Sequence, residues 1–125
     1  IDGTEHIALV KGKIVKNKNI LVRMHSLNIF NDIFDITNKD LEKSMAIISK
    51  NLCGVIVIIR NPKKEMKNKQ FKSINFKSKI LKEYGVGAQI LLDLGIRKIT
   101  LLTKSSKNLV GIDGFGLEIN GTKKI

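Results

Sequence analysis

The sequence predicts a layered α/β fold built on a mixed sheet. Short β-branched and aliphatic runs recur along the chain, as strands require. Two of these runs, Val55 to Arg60 and Ile99 to Thr103, are apolar almost throughout, the pattern of strands covered on both faces. Between the strands lie segments with helical spacing of apolar residues. The 125 residues suit one domain with one core, spanning 1–125. A hydrophobic fraction of 42% is enough to fold it without disulfides or metal clips.

The first strand is expected over Ile7 to Val10 and the second over Ile20 to Met24. The polar stretch Lys11 to Asn19 contains Gly12 and predicts a hairpin-like antiparallel connection between them. A helix follows. Thr37 can cap it, with Asp40 three residues on. Leu41, Met45, Ile48 and Leu52 fall on one of its faces. The third strand is Val55 to Arg60. Lys63 to Lys82 holds eight lysines and one glutamate, over half of the net charge, and reads as a loop running into a short helix. A second helix is expected from about Ala88 to Leu94. Gly85 and Gly87 form its tight opening turn and Gly95 is its stop. The fourth strand is Ile99 to Thr103. A short fifth, Leu117 to Ile119, follows a turn over Gly111 to Gly114.

The net charge is +12, from 23 Lys and Arg against 11 Asp and Glu. Such a charge attracts polyanions and phosphorylated ligands. Lys, Asn and Ile are abundant together, so biased base composition explains much of it. A nucleic-acid-binding role through Lys63 to Lys82 has only Phe71 and Phe76 as aromatic interleaving, which leaves stacking platforms scarce. Cys53 is the sole cysteine, so no internal disulfide forms, and a reducing cytoplasm fits. The longest apolar run, Val55 to Ile59, is far short of a membrane span. The chain opens on Ile1-Asp-Gly-Thr-Glu5 without a starting Met, and reads as a piece of a longer polypeptide.

Chemistry is sparse. One Cys and two His, at positions 53, 6 and 25, match no short zinc spacing. A Cys53–His25 nucleophilic pair is conceivable, but a small buried thiol before Gly54 is the commoner arrangement. Tyr84 to Ile90, with its two glycines, can turn backbone N–H groups toward an anion at a helix start. Arg23-Met-His-Ser26 ends a strand, where ligand-facing residues gather in open α/β sheets. Arg23 can clamp a phosphate there or pair with Asp32. Thr103-Lys-Ser-Ser-Lys107 ends another strand and offers hydroxyls and cations.

Five segments, Asp2 to Gly12, Leu21 to Ser26, Tyr84 to Leu91, Leu94 to Thr103 and Gly114 to Ile119, stand in a distinctive order and spacing. In these the chain resembles the GTP cyclohydrolase II family, and within it the form fused behind 3,4-dihydroxy-2-butanone 4-phosphate synthase in riboflavin biosynthesis. The resemblance implies a three-layer mixed α/β fold, shortened in the middle. It also implies where chemistry should sit. The family follows Arg-x-His-Ser with Glu-Cys and then Cys-Asp-Cys, three cysteines that hold a water-activating zinc. This chain has Leu27 and Asn28, then Asp35 and Thr37 at the other two cysteine places. Those side chains do not replace three thiolates. The family's phosphate segment, Arg-Gln-Glu-Gly-Arg, is here Arg60-Asn-Pro-Lys-Lys64. Lys82 stands where the family has a nucleophilic Arg, and Ile80 replaces its acidic neighbour. Lys lacks the planar fork of Arg.

The resemblance therefore implies a catalytically impaired domain of a riboflavin-biosynthesis protein, structural or regulatory for an attached synthase. No catalytic residue, zinc or other cofactor is expected in the domain itself; magnesium belongs to the synthase. Expected partners are the synthase domain and a second copy in a homodimer, with no membrane and no nucleic acid. The alternative is a residual GTP or phosphate binder that uses Arg23, Ser26, Gln89, Thr103 and Lys107.

Overall fold

The computed structural model describes residues 5–27, 39–60, 76–104 and 115–125, with 76–83 as backbone alone. Five strands form one sheet: β1 (Ile7–Lys11), β2 (Asn19–Ser26), β3 (Gly54–Ile59), β4 (Lys98–Thr103) and β5 (Glu118–Lys124). Their order is β1-β3-β2-β4-β5. β1 runs antiparallel to β3; β2–β3, β2–β4 and β4–β5 are parallel. The mixed sheet matches expectation.

The hairpin does not. β1 and β2 do run in opposite directions, but β3 lies between them. The cause is burial. All six residues of β3 are buried, whereas four of the five in β1 are exposed. A strand apolar on both faces takes a central place, and the less buried strand is left at the edge.

Helix α1 (Asp40–Ser49) covers one face of the sheet and α2 (Phe76–Asp93) covers the other. Alternate strand residues separate into two apolar clusters. Val22, Met24, Val55, Val57, Ile59, Ile99 and Leu101 pack with Ala88 and Leu91 of α2. Ile56, Ile58 and Leu102 pack with Ile48 of α1. The parity of the side chains thus assigns each strand position to a helix.

The start of α1 differs from the reading at Thr37, a position outside the described residues. Lys39 is the N-cap and makes no side-chain capping bond. Asp40 and Glu42 in the first turn supply negative charge to the positive end of the helix dipole instead. At the other end, the Lys11 ammonium from β1 donates to the carbonyls of Ser49 and Asn51, the latter at 2.7 Å, and so caps the helix from outside. The apolar face also shifts. Ile48 and Ser44 are buried, while Met45 is 48% and Leu52 95% exposed. Leu52 lies beyond the last helical turn, so the helical spacing does not extend to it.

α2 begins well before Ala88, and Gly85 and Gly87 lie inside it. Glycine in a helix costs about 1 kcal/mol relative to alanine. Close packing explains both residues here. A Cβ on Gly87 would stand 2.9 Å from Met24 Sδ, and one on Gly85 3.1 Å from the Phe115 ring. The expected stop at Gly95 holds. Gly95 has φ +85°, its N–H donates to Leu92 O at 2.9 Å, and Ile96 N–H donates to Leu91 O at 2.9 Å. That is a Schellman motif, closed by the buried pair Leu91 and Ile96.

Candidate site at the carboxyl ends of the parallel strands

Parallel strands feeding helices leave their carboxyl ends as the ligand-facing rim of an open α/β sheet. Here that rim is formed by Ser26 at the end of β2 with Leu27 after it, Arg60 after β3, and Thr103 at the end of β4 with Lys104 after it. Ser26 lies opposite Ile59 in the ladder. The Leu27 N–H donates to Ile59 O at 2.9 Å, which extends the pairing one residue past β2 and ties the two strand ends together.

Two further contacts build the rim. The Arg60 N–H donates to His6 Nδ1 at 3.0 Å. That bond occupies the Nδ1 lone pair, so the neutral ring carries its proton on Nε2. The Lys104 ammonium lies 2.5 Å from Asp40 Oδ2, with the carboxylate 15% and the ammonium side chain 61% exposed. This pair fastens the start of α1 to the end of β4. It is open to solvent and contributes at most about 1 kcal/mol. Neither contact follows from local sequence pattern, because each joins segments more than fifty residues apart.

The structure distributes the phosphate-binding candidates over different faces. Arg23 shares the α1 face with buried His25, and its Nη1 donates to Leu102 O at 3.3 Å. Ser26 and Thr103 have the parity of the α2 face. Gln89 is exposed on α2 and donates to Asp93 Oδ1 at 3.1 Å, one helical turn on. Lys107, Asp32, the segment 61–75 and the turn at 111–114 lie outside the described residues. Lys82 is within α2, known by its backbone.

Two readings are corrected. The segment 84–90 is helix interior, where N–H groups are used by carbonyls one turn back, so it is not an anion cradle. The Cys53–His25 pair is also excluded. Cys53 precedes Gly54 at the start of β3, whereas His25 is level with Ile58. Five residues of strand, about 16 Å, separate the two levels.

The same distance bears on zinc. The one thiol of the chain lies at the amino-terminal end of the parallel strands, packed half-buried against the core. At the carboxyl end, Leu27 offers no donor atom; its side chain packs with the Ile48–Ile56–Ile58–Leu102 cluster. This donor set does not fit a thiolate zinc site. At the amino-terminal end there is a separate open cleft of about 420 Å³, lined by Asn19, Leu21, Asn51, Leu52, Cys53, Thr100 and Lys123. Of its lining residues, Asn19 donates from Nδ2 to Thr100 Oγ1 at 2.5 Å and accepts at Oδ1 from Asn120 Nδ2 at 3.1 Å. Among the described residues, no helix is long and apolar enough to cross a membrane.

Comparison with known proteins places these features in context. The family described as GTP cyclohydrolase II matches residues 1–124. The chain is 38% identical over 97% of its length to the monofunctional riboflavin biosynthesis protein RIBA 2, chloroplastic, of Arabidopsis thaliana, covering 28% of that protein. It is 34% identical over 95% of its length to the riboflavin biosynthesis protein RibBA of Aquifex aeolicus, covering 34% of it. A third relative, the monofunctional protein RIBA 3, chloroplastic, of the same plant, is 34% identical over 97% of the chain. The chain thus spans about a third of the length of these relatives.

Proposed function

We propose, on the premise that this chain belongs to the GTP cyclohydrolase II family, that it is a member which has kept the scaffold and given up the cyclohydrolase reaction. It is a GTP cyclohydrolase II-like domain of riboflavin biosynthesis. Its role in the longer protein is structural: it supports an attached 3,4-dihydroxy-2-butanone 4-phosphate synthase, whose lyase chemistry uses magnesium. The cytoplasm is the proposed compartment, consistent with a lone free thiol.

One observation carries the loss of chemistry. Leu27 stands at the position where the family pattern has a carboxylate, and its side chain is part of the apolar cluster under α1. The place is filled by packing rather than kept as an empty polar pocket. The single thiol at the far end of the sheet supports the same reading, since a water-activating zinc needs several converging ligands.

The test uses the full-length protein purified without chelator. Elemental analysis is expected to find zinc well below one per chain, and incubation with GTP to release no formate above the buffer control. Stoichiometric zinc, or steady formate release, sinks the proposal. Removing this domain is expected to lower the synthase's thermal midpoint, with its metal dependence unchanged; an unaltered midpoint argues against the structural role.

A further inference from the structure

The cleft at the amino-terminal end of the parallel strands lies opposite the rim, and its floor has a chemistry of its own. Leu21 of β2 is level with Thr100 of β4, and Thr100 with Gly121 of β5. Residues level in a ladder share a face, as do residues two apart on one strand. Asn19, Leu21, Thr100 and Lys123 therefore all lie on the α1 face, to which Leu21 belongs by its packing. α1 itself packs chiefly on β3 and β2. Toward β4 and β5 the floor stays open, and Gly121 contributes to that: a Cβ added there would meet nothing within 4 Å.

The polar groups of the floor are arranged to donate. Asn120 donates to Asn19, and Asn19 to Thr100. The bonds run one way and end on the Thr100 hydroxyl, which accepts and still has its own proton to give. Lys123 is exposed and, among the described residues, makes no ion pair or hydrogen bond. It is the charged side chain among the lining residues. The opposite wall is apolar. Leu52 is 95% exposed, whereas the other exposed large apolar side chains among the described residues stand at 48% or less. Its backbone is held in place, because Gly12 passes so close to the Leu52 carbonyl that a Cβ there would collide. The Lys11 ammonium donates to the carbonyls of Ser49 and Asn51, and so offsets the negative end of the α1 dipole beside the cleft.

We propose that this cleft binds a small organic anion with an apolar body. The anionic group sits on Lys123 and the Thr100 hydroxyl, and the body lies against Leu21 and Leu52. The volume of about 420 Å³ falls in the range of small-molecule sites. An organic cation would meet Lys123, and a neutral body would leave that charge unused. This inference does not rest on the loss of catalysis, since zinc and formate assays address the other end of the strands.

The probe is 8-anilinonaphthalene-1-sulfonate, an apolar ring system with one sulfonate. N-phenyl-1-naphthylamine has the same rings without the charge. Cys53 lines the cleft and is the sole thiol of the chain, so its alkylation by iodoacetamide reports occupancy at this place. The sulfonate is expected to slow alkylation in proportion to its binding, with the midpoint of its fluorescence rise. Lys123→Gln should weaken the sulfonate about threefold to fivefold and leave the uncharged probe unchanged. Leu52→Asn should weaken both probes roughly tenfold. Gly121→Leu fills the floor and should abolish protection of Cys53, with the far-UV spectrum and urea midpoint kept. Fluorescence that rises without protecting Cys53 puts the dye elsewhere and overturns the proposal. Equal binding of both probes with no response to Lys123→Gln, or no binding of either below about 1 mM, overturns it as well.

Discussion

Gly54→Ala tests the packing of the central strand against α1. Gly54 opens β3 and sits between Lys11 of β1 and Leu21 of β2. A Cβ there would lie 2.7 Å from Ile48 Cγ2, 3.3 Å from Ile48 Cγ1 and 3.2 Å from Leu21 O. Ile48 is 5% exposed and β-branched, so in a helix it has essentially one χ1 rotamer and cannot swing aside. Overpacking of this kind costs about 1–3 kcal/mol. Loss of chain freedom in the unfolded state returns about 0.4–1 kcal/mol. The net expectation is a loss of about 1–2 kcal/mol, read as a drop of roughly 1 M in the urea midpoint for an m value near 1–2 kcal/mol/M. Ile48→Ala alone should cost about 2–5 kcal/mol, but it removes both colliding carbons. In the double variant the two losses should therefore fall short of their sum by about 1–2 kcal/mol. The contact with Leu21 O is backbone and persists, so relief is incomplete. Urea titration followed by circular dichroism, on all four corners of the cycle, measures this. A Gly54→Ala protein as stable as wild type, or strictly additive losses, would refute the close approach of α1 to the start of β3.

Restoring the family's carboxylate by Leu27→Glu is expected to destabilise the fold by about 1–3 kcal/mol, because a charge enters an apolar cluster without a partner, and to leave zinc content unchanged; calorimetry with elemental analysis checks both. Gly95→Ala and Gly121→Ala form a matched pair. Neither added Cβ meets an atom within 4 Å, but Gly95 has φ +85°. Gly95→Ala should lose about 1–2 kcal/mol for that backbone angle alone, while Gly121→Ala should be neutral within about 0.5 kcal/mol. Equal thermal midpoints for the pair would contradict the Schellman stop of α2.

The strands of the core were legible because burial on two faces leaves a local mark: Val55 to Ile59 and Ile99 to Thr103 are apolar with no reference to anything else in the chain. Their order was not legible. Whether β1 meets β2 or β3 depends on which strand is most buried, a property of the assembled sheet. Gly85 and Gly87 show the same limit from the other side. Glycine pairs ordinarily mark turns, and only Met24 and Phe115, far away in sequence, explain why they sit in a helix. β5 was read too short because Asn120 to Lys124 is polar and mostly exposed, so it lacks the alternation of a buried strand. Of the candidate site, the strand ends Ser26 and Thr103 were legible from the rule that ligand-facing residues follow parallel strands. The His6–Arg60 and Asp40–Lys104 contacts were not, since each depends on chain reversal between distant segments.

The pattern of kept and altered residues follows from where stability resides. Among the described residues, the largest fully buried apolar side chains are Ile20, Val22, Val55, Val57, Leu91, Ile96, Ile99, Leu101 and Leu102, all within β2, β3, β4, α2 or the α2–β4 connection. Of the positions where the family's chemistry should stand, Leu27 lies among the residues described with their side chains, and it is outside that set, packed at the border of the smaller cluster. Polar residues held near one another for catalysis are more often a burden on stability than a support. On the proposed loss of the reaction, an apolar residue at such a position is free or favourable, and Leu27 packs in its cluster accordingly.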